Sequence, residues 1–313
     1  MNAANHNPTL DLSIIIVSWN TRDLLAQCLA SVYAHPPSGP FEIIVVDNAS
    51  SDGSAAMVRE RFPDVVLLPN DHNPGFAAAN NRAIAHSRGR VVMLLNPDTV
   101  VFPGALDALI EFLAANPAAG AAGSRLLNPD GSLQPSCHPA PTVTRELWRL
   151  FHLDRLKPLA LYPMAAWPVD RPRPVDAVMG AALVVRRTVI GEIGVLDDTY
   201  FMFSEEVDWC VRIRRAGWSI YWVPQSRIVH FGGQSTRQIA PAMFLQLYRA
   251  KVQYFRKHYG AIYGLLYKGE LLLASAARLG LTPISWLLQP NRRDDHARLA
   301  QHYSRLILAL PKM

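Results

Sequence analysis

Residues 41–50, Phe41-Glu42-Ile43-Ile44-Val45-Val46-Asp47-Asn48-Ala49-Ser50, decide the fold class. Ile43 to Val46 are four β-branched residues in a row. The run is too short for a helix and lacks the alternation of a strand with one wet face. It reads as a strand buried on both sides, the habit of parallel sheets covered by helices. The run stops on Asp47, and residues 50–54 read as a loop capping a helix over 55–61.

The same phrase repeats on either side. Residues 12–18 form an apolar strand before a helix over 24–33, which Pro36, Pro37 and Gly39 close. Residues 65–68 and 91–95 predict two more strands, each followed by a helix, over 76–87 and 104–115. Alternating strands and helices predict an α/β fold with a mostly parallel sheet flanked by helices. Ligands of such sheets bind beyond the carboxyl ends of the strands. The residues to examine are therefore Ser18 and Asn20, Asp47 and Asn48, Asn70 to Asn73, and Asn96 to Asp98.

Beyond Gly120 the pattern changes. Asn128-Pro129-Asp130-Gly131 is a turn signal. The Pro-rich stretch 135–174 reads as an excursion, 177–185 as a strand, 204–216 as a helix, and 220–223 and 227–231 as two short strands. From residue 240 the chain is helical, basic and aromatic. The expected division is a catalytic domain over 10–233 and a basic amphipathic helical tail over 234–313.

Half of the 313 residues are hydrophobic and 18% are charged, which suits a large core and argues against disorder. The net charge of +6 suits anionic partners without choosing among them. No interleaved basic-aromatic motif points to nucleic acid, which is not expected as a partner. Cys28, Cys137 and Cys210 form no C-x-x-C pair, so a reduced, cytoplasmic compartment is expected. The N-terminal residues 1–11 are polar and carry no signal-peptide pattern. The apolar stretch 271–288 is interrupted by Arg278 and Pro283 and reads as a surface-lying amphipathic helix rather than a spanning one.

Four constellations carry chemistry. Asp47 follows a buried strand and can accept from a base N–H or a ribose hydroxyl; taken alone it is equally a loop cap. In Leu94-Leu95-Asn96-Pro97-Asp98-Thr99 a strand delivers a carboxylate on a stiff turn. Mg²⁺ needs one or two such carboxylates when substrate phosphates supply the rest. In Phe201-Met202-Phe203-Ser204-Glu205-Glu206-Val207-Asp208, Glu205 and Asp208 share a helix face and Glu206 points elsewhere. One of these acids can serve as a general base, or all can be helix-terminus charges with Asp208 paired to Arg212. His230, at a strand end before Gly232-Gly233, is a metal-ligand candidate or a structural histidine. Neither G-x-x-x-x-G-K-[ST] nor a G-x-G-x-x-G after the first strand occurs, so a metal is the natural means of neutralising a diphosphate.

Taken together, six blocks resemble the family 2 inverting glycosyltransferases of GT-A fold, particularly their rhamnosyltransferase-like branch. They are Ile15 to Asn20, Val45 to Ser54, Asn73-Pro74-Gly75-Phe76-Ala77-Ala78-Ala79-Asn80-Asn81, Leu94 to Thr99, Gly180-Ala181-Ala182, and Phe203 to Arg212. The resemblance implies that Ser18, Asn20, Asp47 and Asn48 bind the nucleoside. Gly75 and Asn81 belong to the donor-binding blocks, and Gly180 and Ala181 line the sugar pocket. It places Asn96 and Asp98 on the diphosphate, with Asp98 and His230 as ligands of Mg²⁺ or Mn²⁺, and Glu206 as the base, with Glu205 and Asp208 as alternatives. It also implies a nucleotide-diphosphate sugar donor, with rhamnose as the candidate sugar, a glycan or lipid-linked acceptor, and work in cell-surface polysaccharide assembly. The tail is expected on an anionic membrane surface, at the cytoplasmic face of a bacterial inner membrane. Two departures stand out: Asn96 replaces an acid of the metal motif, and Glu206 replaces the usual Asp. They keep an inactive sugar-nucleotide-binding or scaffold protein as the alternative. A nucleotidyltransferase lacks support because residues 18–21 contain no Gly-rich basic loop.

Overall fold

The computed structural model describes residues 10–288, 291 and 293–313. The polar segment 1–9, expected to carry no signal, lies outside the described residues, as do 289, 290 and 292 of the tail.

The chain runs β1 (Leu10–Ser18), α1 (Arg22–Ala34), β2 (Phe41–Asp47), α2 (Ser54–Arg61), β3 (Val66–Pro69), α3 (Phe76–His86), β4 (Gly89–Leu95), β5 (Thr99–Val101), α4 (Ala105–Ala115), β6 (Ala119–Leu127) and β7 (Cys137–His138). It continues with α5 (Val143–Leu150), β8 (Arg173–Val175), β9 (Ala177–Val178), β10 (Ala182–Arg186), α6 (Arg187–Ile193), α7 (Glu205–Arg215) and β11 (Ser219–His230). The C-terminal part is α8 (Gln234–Arg237), α9 (Ala240–Tyr259), α10 (Ala261–Leu288) and α11 (Arg293–Ala309). Two compact units result. The first holds residues up to 140, 163–201 and 205–235; the second holds 141–162, 202–204 and 236–313.

The first unit is built on a sheet ordered β3-β2-β1-β4-β10-β6-β11-β5, with β8 also on β11. Strands β3, β2, β1 and β4 are parallel, as short apolar runs separated by helices predict. Leu12, Ile14 and Ile16 of β1 face a core shared with Leu25 and Leu29 of α1 and Leu106 and Leu109 of α4. Ile15 and Val17, on the opposite face, are buried too. With α3 packed on β1 and β2, these two strands are covered on both sides. Each such aliphatic side chain contributes about 2 kcal/mol of burial before chain entropy is counted.

Three expectations are corrected in the second half. Residues 177–185 form two short strands, and β10 enters antiparallel between β4 and β6. The two short strands expected over 220–223 and 227–231 are one strand, β11, with a register irregularity between Val223 and Arg227. No strand is expected over Ala119 to Leu127, yet β6 is central to the sheet. Its first five residues are all Ala or Gly, poor strand formers. They are used because neighbours come close: a Cβ on Gly123 would meet Val178 Cβ at 2.8 Å.

In the second unit, α10 packs against α9, α11 and α5. Glu146 of α5 is buried there, held by Lys251 Nζ at 2.8 Å, by Arg149, and by the Tyr267 hydroxyl at 3.4 Å.

Candidate active site

The carboxyl ends of β1, β2 and β4 carry the first residues of the site. Ser18 and Asp47 are register partners, and the Asn48 amide donates to the Ser18 carbonyl at 2.9 Å. Asn20 and Ala49 adopt left-handed backbone, φ 51° and 57°, which folds the two strand ends together. The Asn20 amide donates to Ser50 Oγ at 2.9 Å, and Asn20 Oδ1 accepts from the Ser51 amide at 2.8 Å. Asp47 is buried; its Oδ2 accepts from the Ser50 amide at 3.1 Å, while its Oδ1 is buried with no partner. A buried orphan acceptor costs about 1–3 kcal/mol, a cost that a ligand N–H or O–H can remove.

Asn48 joins a second group. Its Nδ2 donates to Asn73 Oδ1 at 3.1 Å, and Asn73 Oδ1 also accepts from the Gly75 amide at 3.0 Å. Gly75 has φ 95°, and a Cβ there would meet the Phe201 carbonyl oxygen at 2.3 Å. No other residue fits. The next amide, Phe76 N–H, donates to that same carbonyl at 2.7 Å. Asn81 Nδ2 donates to the Leu196 carbonyl at 2.8 Å, leaving its buried Oδ1 unpartnered.

Strand pairing assembles the metal candidates. β5 lies antiparallel to the end of β11 with His230 opposite Thr99, and the Phe231 amide donates to the Asp98 carbonyl at 2.9 Å. His230 Nε2 therefore sits 3.3 Å from Asp98 Oδ1, and both side chains are buried. Asn96, at the position where an acid was expected, turns its Nδ2 to His230 Nε2 at 3.2 Å. Its backbone is held from below by Cys28, whose thiol reaches the Asn96 carbonyl at 3.6 Å and Thr99 Oγ1 at 3.3 Å. Among the described residues no cluster of three or more His, Cys, Asp or Glu side chains gathers. One oxygen and one nitrogen ligand fit a divalent cation whose other positions are filled by phosphate oxygens and water.

The Asn96 amide donates to the Ala181 carbonyl at 3.0 Å, which links the metal candidates to the small-residue run. Beside it stands Gly180, and a Cβ built there would lie 3.5 Å from Glu206 Cβ and 3.6 Å from Phe76 Cε1. The three acids of α7 are thus separated by the structure. Asp208 is fully buried and pairs with Arg212 Nε at 2.8 Å, the i, i+4 bond its spacing anticipates. Glu205 is buried, and Glu206 is half-buried beside Gly180. Each keeps a buried Oε2 without a partner. Burial pushes the Glu206 carboxyl above its ordinary range. Burial, then the neighbouring Glu206 charge, pushes Glu205 well above it. Phe203 and Ser204, immediately before α7, are both left-handed, φ 70° and 68°. Such backbone in non-glycine residues costs about 1–3 kcal/mol each and is found where a site must be aimed.

Residues 13–160 match the model of glycosyl transferase family 2. An N-acetylglucosaminyl-diphospho-decaprenol L-rhamnosyltransferase of Mycobacterium tuberculosis is 31% identical over 250 residues, covering 72% of this chain and 77% of the relative. The chain belongs to glycosyl transferase family 2. This glycosyltransferase is also 28% identical, over 73% of its length, to the O-antigen biosynthesis protein RfbC of Myxococcus xanthus, of which it spans 18%. Among solved structures, the mannosyltransferase PcManGT from Pyrobaculum calidifontis, in complex with GDP-Man and Mn²⁺, superposes with a TM-score of 0.59 at 20% identity. That match covers 98% of this glycosyltransferase and 88% of the mannosyltransferase, and it establishes the shared GT-A fold.

Proposed function

We propose that this glycosyltransferase moves a sugar, rhamnose in the first instance, from a nucleoside-diphosphate donor to an acceptor hydroxyl by a single inverting displacement. The observation that carries the reading is the series of neighbours from Asp98–His230 through Asn96 to Ala181 and Gly180, with Glu206 standing beside Gly180. This brings the candidate cation ligands and a carboxyl with an unpartnered oxygen into one series of neighbours, which supports the reading.

Asp47 Oδ1 accepts from the nucleobase or ribose, with Ser18, Asn20 and Asn48 shaping that end. Asp98 and His230 would hold a divalent cation, Mg²⁺ or Mn²⁺, which offsets the charge of the departing diphosphate. Asn96 Nδ2 holds the electron pair of His230 Nε2 until a cation takes it. Gly180 and Ala181 give the sugar room against the backbone. Glu206 takes the proton of the acceptor hydroxyl as it attacks the face opposite the leaving group, so the anomeric configuration inverts and no covalent enzyme intermediate forms. Asp208, held by Arg212, and the deeper Glu205 are structural and electrostatic neighbours of that base. The mycobacterial relative's polyprenyl-linked acceptor and its sugar support a rhamnosyl donor and a lipid-linked acceptor in cell-surface polysaccharide assembly.

The test is a titration of deoxythymidine and uridine diphosphates, each with and without Mn²⁺, on the wild type and Asp98→Ala. Metal-dependent binding is expected in the wild type, weakened tenfold or more by the substitution, about 1.4 kcal/mol. Equal binding with and without Mn²⁺ would sink the metal site. Binding without turnover on any acceptor would favour the inactive, scaffold reading.

The catalytic unit and the helical tail have separate roles in this proposal. In the tail, α10 is long and apolar enough by length and composition to cross a membrane. One face carries Ile262, Leu265, Leu266, Leu272, Leu273 and Leu287, all exposed. Lys268, Glu270 and Arg278 are half-buried on the packed side, and Arg249, Arg256 and Lys257 are exposed on α9. An apolar face with three mid-helix charges kept on its packed side suits a helix lying in an anionic membrane surface, at the cytoplasmic face of the inner membrane. Leu265→Glu with Leu272→Glu in the full chain is expected to cut sedimentation with anionic vesicles tenfold or more; unchanged sedimentation would refute the docking.

A further inference from the structure

The Asn128-Pro129-Asp130-Gly131 turn leads into Gln134, whose side chain lies against His230. His230 Nδ1 is 2.7 Å from Gln134 Oε1, and Gln134 Nε2 is 3.0 Å from both the His230 carbonyl and Asn128 Oδ1. These contacts have only one consistent polarity, and it can be followed from a fixed end. An ionised Asp130 only accepts, so the Ser132 hydroxyl, 2.6 Å away, donates to it. Ser132 Oγ then accepts from Asn128 Nδ2 at 2.9 Å. That turns Asn128 Oδ1 toward Gln134, whose Nε2 must be the donor. A backbone carbonyl, also an obligate acceptor, fixes the same amide a second time. Gln134 Oε1 is left to accept from His230 Nδ1–H, so the electron pair of a neutral His230 ring is on Nε2. That nitrogen accepts from Asn96 Nδ2 at 3.2 Å and faces Asp98 Oδ1, a second acceptor, at 3.3 Å, so the ring and the carboxylate need a positive ion between them.

We propose that Gln134 is the positioning residue of the metal site, turning the electron pair of His230 Nε2 toward the cation shared with Asp98; that cation takes the place of the Asn96 Nδ2 donor. The inference rests on the reading of Asp98 and His230 as cation ligands. Histidine ligands are commonly set in this way by an acceptor on their other nitrogen, and loss of that acceptor weakens metal affinity about 10- to 100-fold. Without Gln134 Oε1 the neutral ring is free to carry its proton on Nε2, where a cation must displace it. The turn thereby serves the site, because Asn128 and Ser132 hold the amide of Gln134 in one of its two orientations.

The test uses the full chain with ¹⁵N-histidine, read by long-range imidazole NMR correlations without metal or nucleotide. The wild type is expected to show His230 as the Nδ1–H tautomer, and Gln134→Leu to show a mixture or the Nε2–H form. Gln134→Glu, which keeps an acceptor for Nδ1–H, is expected to restore the wild-type tautomer. In parallel, Mn²⁺ affinity with uridine or deoxythymidine diphosphate, followed by the electron paramagnetic resonance of free Mn²⁺, is expected to fall about 10- to 100-fold in Gln134→Leu and less than fivefold in Gln134→Glu. Asn128→Ala, which leaves Gln134 in place, serves if Gln134→Leu does not fold, and should give a smaller shift in the same direction. An unchanged His230 tautomer in the folded variants would overturn the proposal. A changed tautomer with unchanged Mn²⁺ affinity would also overturn it, since the ring would then not be set for the metal. No Mn²⁺ binding by the wild type would instead refute the underlying metal site.

Discussion

Two buried acidic groups in this chain have opposite surroundings. Glu146, in the C-terminal unit, is met by Lys251, Arg149 and Tyr267. Glu205 and Glu206, at the start of α7, lie side by side, and each has a buried oxygen with no partner. Burying a carboxylate is costly in both places, but only the first group is compensated within the protein. Burial instead raises both the Glu205 and the Glu206 carboxyl above the ordinary carboxylate range. A buried acid with its counter-ions in place is architecture. One without them is the candidate for proton transfer.

The largest expected effect lies at Glu206. Glu206→Gln removes the base without changing the size of the side chain, and kcat should fall by about 10²- to 10⁴-fold with nucleotide affinity unchanged. In the wild type the acidic limb of the pH profile of kcat/KM should lie above the ordinary carboxylate range. Activity rises with pH there, because the base works only when deprotonated. The two glutamates interact, so that limb belongs to the pair. Stability has the opposite sign. The folded pair keeps protons that the unfolded chain releases, so stability from this pair falls as pH rises from the ordinary carboxylate range to the raised folded values. If Glu206→Gln retained full turnover, the unpartnered oxygen would have no role in proton transfer, and the contrast with Glu146 would lose its functional meaning.

Glu146 tests the other side of the comparison. Glu146→Leu leaves Lys251 and Arg149 without their carboxylate and should cost about 3 kcal/mol of unfolding free energy in urea. Adding Lys251→Met should recover part of it, because it removes the more deeply buried of the two partner charges and leaves only Arg149, which reaches solvent. Turnover per folded molecule should be unchanged by either variant. A loss of kcat without a loss of stability would give Glu146 a role the packing does not suggest.

How far the sequence reveals such differences depends on the distance over which partners are found. Strands β1 to β4 were legible because Ile and Val runs carry their own signal within a few residues. Asp47 is the last residue of β2, and Asp98 lies just past β4, at the strand ends the runs predict. The Asp208–Arg212 pair was legible for the same reason, being one helical turn apart. β6 was not, because its Ala and Gly residues form a strand only through neighbours brought from far along the chain. Gln134 meets His230 across 96 residues, so its turn could be recognised but not its use. Glu205 and Glu206 are chemically alike and adjacent in sequence. Only the place of Glu206 beside Gly180 separates the proposed base from its neighbour.

Gly180 gives the smallest expected effect and the finest test of that placement. A methyl group added there would sit 3.5 Å from Glu206 Cβ and 3.6 Å from Phe76, ordinary contact distances. Gly180→Ala should therefore fold with a stability change of about 1 kcal/mol or less. The methyl group would, however, occupy the space between the base and the proposed sugar pocket. kcat/KM should fall roughly tenfold, about 1.4 kcal/mol of transition-state stabilisation, with the binding of the free nucleoside diphosphate unchanged. Isothermal titration with the diphosphate and steady-state kinetics with the intact donor separate the two. A fall in diphosphate affinity would move Gly180 from the sugar to the phosphates. Unchanged kinetics would mean that the sugar is held elsewhere, and the closeness of Gly180 to Glu206 would then be packing alone.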